Sequence, residues 1–163
     1  MENYISENGF NYKSVGDGQP LVILHGLMGG LSNFEGLFDF FPKHGYAVIA
    51  PELPVYNSTL LNTNVKYFAN YVKKFIDHKK LKNIVLIGVS FGGIIVQEIA
   101  KIISVHKVII ISSVKTSKEL PILMQLGKNI GAHKFFPVNW LQSFESLAQF
   151  ALGPSINKKI ELY

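Results

Sequence analysis

Residues Gly88-Val89-Ser90-Phe91-Gly92 join two segments of opposite character. Before them runs Ile84-Val85-Leu86-Ile87, a short continuous apolar stretch. After them comes Gly93-Ile94-Ile95-Val96-Gln97-Glu98-Ile99-Ala100, which reads as a helix. Strand, tight turn and helix is the setting in which G-x-S-x-G forms a sharp corner with the serine hydroxyl exposed at its tip. A glycine two residues before the serine and another two after it let the strand and helix backbones approach closely. The five letters alone would carry little, because 14 glycines in 163 residues make a chance match easy. The strand before and the helix after give the match its weight.

The remaining chain repeats this alternation. Residues 5–15 read as two short strands around the turn-favouring pair Asn8-Gly9. Leu21-Val22-Ile23-Leu24 is a four-residue apolar run, as expected of a parallel strand covered on both faces. It ends in the flexible loop His25-Gly26-Leu27-Met28-Gly29-Gly30. Ser32-Asn33-Phe34-Glu35 has the form of a capping box, and Phe34, Leu37, Phe38 and Phe41 follow with helical spacing. Tyr46–Ala50 is a further strand, stopped by Pro51 and Pro54. Val65, Phe68, Ala69, Val72, Phe75 and Ile76 mark a second amphipathic helix, with Thr63 or Asn64 as its cap. Lys107–Ile111 reads as one more strand of the buried type. Strands alternating with amphipathic helices predict an α/β domain, a mostly parallel sheet with helices on both faces.

Composition narrows the functions open to such a domain. Hydrophobic residues make up 48% of the chain and charged residues 17%, which fits a globular protein rather than a disordered one. The formal charge of +5 rests on lysine alone, with no arginine for bidentate contacts to bases or phosphates, so nucleic acid is not an expected partner. The cluster Lys79, Lys80, Lys82 reads as a solvated helix end. Cysteine is absent, which excludes disulfides and thiolate metal sites. The N-terminus has no basic segment followed by an apolar one, and no apolar run is long enough to span a membrane. A cytoplasmic location is therefore expected.

A serine at such a corner is a weak nucleophile until a base takes its proton. It also needs hydrogen-bond donors where negative charge develops, each contributing about 3–4 kcal/mol. One donor is expected to be the backbone N–H of Phe91. The second is expected from the loop after the earlier strand, with the Leu27 N–H as first choice and Met28 as second.

Taken together, Leu21-Val22-Ile23-Leu24-His25-Gly26-Leu27, Pro51-Glu52-Leu53-Pro54 and Gly88-Val89-Ser90-Phe91-Gly92-Gly93 resemble the N-terminal part of an α/β-hydrolase-fold protein of the HG-x…G-x-S-x-G type. The second segment stands where relatives often have D-x-P-G. The resemblance divides the chain into a partial core, residues 1–116, and the start of a helical lid, residues 117–163. It implies a serine hydrolase of carboxylic esters or related acyl bonds, with a small-molecule acyl substrate and no metal or organic cofactor. Ser90 would be its nucleophile and the Leu27 and Phe91 amides its oxyanion hole. His25, Gly26, Gly88 and Gly92 would be supporting residues. In this family His25 has a structural place near the oxyanion loop rather than the role of base.

The departure from the pattern is equally informative. The family's order is Ser…Asp/Glu…His. All three aspartates, Asp17, Asp39 and Asp77, precede Ser90. Glu98 falls in the helix that starts at the elbow and His106 in a loop. Glu119 and His133 have the right order, yet their segment carries no strand to hold them at the sheet edge. Glu52 reads as a solvated loop carboxylate. Aromatic residues between Phe135 and Phe150 suit an acyl pocket or simple lid packing equally. The expectation is a chain cut within the lid, without its triad acid and histidine, of little or no activity by itself, and with residues 108–111 left as an apolar edge. A non-catalytic module of the same fold, binding a small apolar ligand or a partner chain, is the alternative. Oligomeric state is not set by the sequence.

Overall fold

The computed structural model describes residues 3–26, 31–55 and 64–113. Strands β1 (Asn3–Glu7) and β2 (Phe10–Val15) form a hairpin, with Asn8 and Gly9 both at positive φ in its turn. Strand β3 (Gln19–Leu24) is followed by helix α1 (Glu35–Phe40) and strand β4 (Tyr46–Pro51). Helix α2 (Val65–His78), strand β5 (Val85–Val89), helix α3 (Phe91–Ile99) and strand β6 (Lys107–Ile111) complete the described elements. They build one sheet in the order β1-β2-β4-β3-β5-β6. β2 pairs antiparallel with β1 and β4, while β4, β3, β5 and β6 run parallel.

Alternation along the central strands fills two cores at once. Val22 and Leu24 of β3 and Leu86 of β5 pack with Phe68, Val72 and Phe75 of α2 and Ile95, Val96 and Ile99 of α3. Leu21 and Ile23 of β3 and Val85 and Ile87 of β5 face the other way, toward Phe34 and Phe38. Both faces of β3 and β5 are covered, which is why their sequences show no polar alternation. Each large aliphatic or aromatic side chain buried this way contributes about 1.5–3 kcal/mol.

Helix α2 begins where its cap was expected. Asn64 is extended, and its side-chain oxygen accepts the Tyr67 N–H at 3.0 Å. The spacing of Phe68, Ala69, Val72, Phe75 and Ile76 becomes its buried stripe.

One expectation needs correction. The capping box does not open α1: Leu31–Phe34 form a 3-10 turn, and α1 starts at Glu35 behind Phe34, which makes no side-chain cap bond. Burying both Leu31 and Phe34 draws the chain into the tighter turn before the helix starts. β6 is a strand as read, and it is the last strand of the sheet built by the described residues. Ile109, Ile110 and Ile111 are 37%, 46% and 42% exposed, so the apolar edge expected of residues 108–111 is present among the described residues. Residues 117–163, the expected lid, lie outside the described residues. Among the described residues, no helix is long and apolar enough to cross a membrane.

Candidate active site

Because β3, β4, β5 and β6 are parallel, their carboxyl ends share one edge. Residues 25–26, 52–55, 90 and 112–113 leave the strands there. Such an edge is where open α/β sheets place their ligands.

Ser90 lies between β5 and α3 at φ 54° and ψ −115°, a conformation that costs a non-glycine residue about 1–3 kcal/mol. Two hydrogen bonds hold it there. Its N–H donates to the Ile111 carbonyl at 2.9 Å, and its carbonyl accepts the Gly93 N–H at 3.0 Å. Serine at a helix start ordinarily turns its hydroxyl onto the first turn. Here no side-chain cap bond forms, and the residue is exposed. The hydroxyl is thus presented outward.

The flanking glycines make this corner possible. A Cβ on Gly88 would lie 2.6 Å from the Gly92 carbonyl carbon and 2.7 Å from the Gly93 Cα. A Cβ on Gly92 would lie 2.7 Å from the Leu24 carbonyl carbon and 2.8 Å from the His25 carbonyl oxygen. These are backbone atoms that cannot rotate aside, so α3 sits against both β5 and the end of β3 only because neither position carries a side chain. The sequence reading of both glycines as close-approach residues agrees with this geometry. Gly26 faces the serine directly: a Cβ there would be 3.2 Å from the Ser90 Cβ and 3.6 Å from its Oγ.

His25 is 3% exposed, and both ring nitrogens are engaged. Its Nδ1 donates to the Gly26 carbonyl at 2.7 Å, and its Nε2 accepts the Leu53 N–H at 2.9 Å. Because a backbone N–H can only donate, Nε2 must carry the lone pair, which fixes the neutral tautomer. Burial pushes the imidazole below its ordinary value of 6.5, against the opposing pull of the Gly26 carbonyl and the Glu52 charge. With both nitrogens committed, His25 has none left to serve Ser90 as a base. It ties the loop after β3 to the loop after β4. Its partner Leu53 was not foreseen, because an imidazole bound to a backbone amide 28 residues away leaves no sequence pattern.

Phe91 opens α3. As the first residue of the helix its N–H has no intrahelical acceptor, and it lies at the positive end of the helix dipole. Its ring packs edge-on against Phe68, with centroids 5.3 Å apart and planes at 86°. The sequence placed Phe68 in a buried stripe, but it could not show that the stripe reaches the elbow.

The other expected residues fall apart. Leu27 and Met28 lie outside the described residues, as do Glu119 and His133 and the aromatic stretch from Phe135 to Phe150. Glu98 of α3 pairs with Lys101, just past the helix end, at 2.6 Å, and that pairing lowers its pKa. His106 precedes β6 at the amino end of the sheet, opposite the elbow. Glu52 is exposed and accepts the Tyr4 hydroxyl at 2.6 Å, which is the main reason the phenol is pushed up to about 12. Lys79, just past the C-terminal end of α2, belongs to a part-buried network with Glu7 and Tyr12. Among the described residues, no cluster of His, Asp or Glu could hold a metal ion.

Residues 19–147 match the family model for the alpha/beta hydrolase fold. Over 78 residues the chain is 32% identical to a Mycoplasma pneumoniae protein named "Putative esterase/lipase 2", a match covering 45% of this chain and 29% of that protein. Among solved structures it resembles an alpha/beta hydrolase enzyme from the metagenome of sediments of the Mar Chica lagoon, Morocco. That likeness has 37% identity and a TM-score of 0.67 over 90% of this chain and 63% of the enzyme. An alpha/beta hydrolase fold protein from Burkholderia ambifaria shares the fold at 15% identity, with a TM-score of 0.65 over 93% of this chain and 57% of that one. The chain thus spans less than two thirds of the length of these relatives.

Proposed function

The chain belongs to the alpha/beta hydrolase fold family, and from that premise we propose that Ser90 is the nucleophile of a serine hydrolase acting on carboxylic esters or related acyl bonds. The observation that carries the reading is the strained, exposed Ser90 whose hydroxyl does not cap its own helix. The esterase/lipase name of the Mycoplasma relative supports the substrate class.

In this reading a base takes the Ser90 Oγ proton as the oxygen attacks the acyl carbon. The carbonyl π electrons move onto oxygen, and the resulting oxyanion accepts hydrogen bonds from the Phe91 and Leu27 N–H groups. The oxyanion then collapses and expels the alcohol, which takes the proton back from the base. Water attacks the acyl-serine in the same way and releases the acid. His25 takes no proton in this sequence; it holds Gly26 beside Ser90. The base and its acid partner are supplied from outside residues 3–113, a placement that the greater length of the relatives supports.

Hydrolysis of short-chain p-nitrophenyl esters by the full-length protein tests this. Ser90→Ala is expected to lower kcat at least about 10³-fold, leaving the residue due to binding and the oxyanion hole. Unchanged turnover by Ser90→Ala removes Ser90 from the mechanism. A full-length protein with no esterase activity favours the non-catalytic binding module.

A further inference from the structure

We propose that Phe68 is a positioning residue for the oxyanion donor: its ring fixes Phe91 and thereby the direction of the Phe91 N–H. The inference rests on the reading of Ser90 as nucleophile and of the Phe91 amide as donor.

The Phe91 N–H belongs to the same peptide as the Ser90 carbonyl. At its carbonyl that peptide is held by the Gly93 N–H at 3.0 Å. Its N–H must stay free to meet an oxyanion, so no second hydrogen bond can fix it. The other constraint acts at the Phe91 Cα, through a half-buried side chain. That ring meets Phe68 edge-to-face at 5.3 Å, an arrangement that the ring quadrupoles favour. Strained corners persist only when their surroundings over-determine them, and this contact is one such constraint at Ser90.

Phe68 is itself firmly placed. It is 6% exposed, in the first turn of α2. The Asn64 carbonyl accepts the N–H of both Tyr67 and Phe68, at 3.0 and 3.3 Å. The Tyr67 ring packs edge-on against Phe68 from the outer side, at 5.3 Å and 85°. The capped start of α2 thus braces the elbow. A hole donor is effective only when aimed at the developing charge, and misplacement by about 1 Å can cost about 10²-fold in rate.

The test uses the full-length hydrolase and a p-nitrophenyl ester. Phe68→Leu keeps an apolar side chain of smaller volume and loses the edge-to-face contact. The expected result is a fall in kcat of about 10-fold with KM within about 2-fold, the signature of an interaction realised in the transition state. Affinity for a trifluoromethyl ketone, which forms a tetrahedral oxyanion adduct, should weaken by the same factor. Phe91→Leu deletes the contact from the other side and keeps the test open if Phe68→Leu does not fold. The double variant should lose no more than either single one, because both act through one contact. If Ser90→Ala is inactive while Phe68→Leu and Phe91→Leu retain full kcat, or if their losses multiply, the positioning role is overturned and the nucleophile stands. If Ser90→Ala stays active, the underlying reading fails first.

Discussion

Replacing His25 by leucine tests how the edge of the sheet is held together. The imidazole spans two loops, donating to the Gly26 carbonyl at 2.7 Å and accepting the Leu53 N–H at 2.9 Å. At 3% exposure there is no room for water to take over either bond. Leucine fills much of the ring's volume, so the cavity term is small, and the cost is that of two orphaned backbone groups. Each unsatisfied buried group costs about 1–3 kcal/mol. His25→Leu should therefore destabilise the fold by about 2–6 kcal/mol, a large share of the 5–15 kcal/mol typical of a domain. Urea unfolding followed by far-UV circular dichroism measures this directly. The same variant should react more slowly at Ser90, because Gly26 loses the bond that fixes it beside the serine. A loss below about 1 kcal/mol with unchanged Ser90 reactivity would refute the reasoning, since it would mean that both backbone groups find other partners.

Gly92→Ala should cost more than about 2 kcal/mol and slow reaction at Ser90, because the new methyl meets the Leu24 and His25 carbonyls rather than a movable side chain; chemical denaturation and ester turnover check both effects. Asn64→Ala removes the side-chain acceptor for the Tyr67 N–H and should lower stability by about 1 kcal/mol, read as a shift of the thermal midpoint. Acid should weaken the fold in two stages. His25 has a folded pKa depressed below 6.5, so the unfolded chain binds the extra proton; stability is complete above about pH 6.5 and falls as pH drops below it, and His25→Leu should lose this slope. Glu7 is lowered from 4.5 to about 2, chiefly by His78 and then by the Tyr12 hydroxyl, so its contribution is present above pH 4.5 and disappears toward pH 2; Glu7→Gln should flatten that stage in a pH series of denaturation curves.

The parts legible in the sequence are those governed by local pattern. Leu21–Leu24, Tyr46–Ala50, Ile84–Ile87 and Lys107–Ile111 announce strands by their apolar runs, and Asn64 announces a helix start. Gly88, Ser90 and Gly92 declare the elbow because the turn chemistry is confined to five residues. What escaped depends on partners distant in the chain. Ser32 looked like a cap, but burial of Leu31 and Phe34 decided the local turn. The commitment of His25 to the Leu53 N–H follows from two parallel strand ends meeting in space. The link from Phe68 to Phe91 is of the same kind: two helices bring together rings 23 residues apart.

The location of a fluorophosphonate adduct tests the role of Ser90 most directly. Such probes bond to activated serines, and tryptic digestion of the labelled full-length protein isolates residues 83–101 as one peptide. With Ser90 as nucleophile, that peptide gains the mass of the probe, assigned to Ser90 by fragmentation and absent from Ser90→Ala. An adduct on another residue, or labelling that persists in Ser90→Ala, would contradict that role.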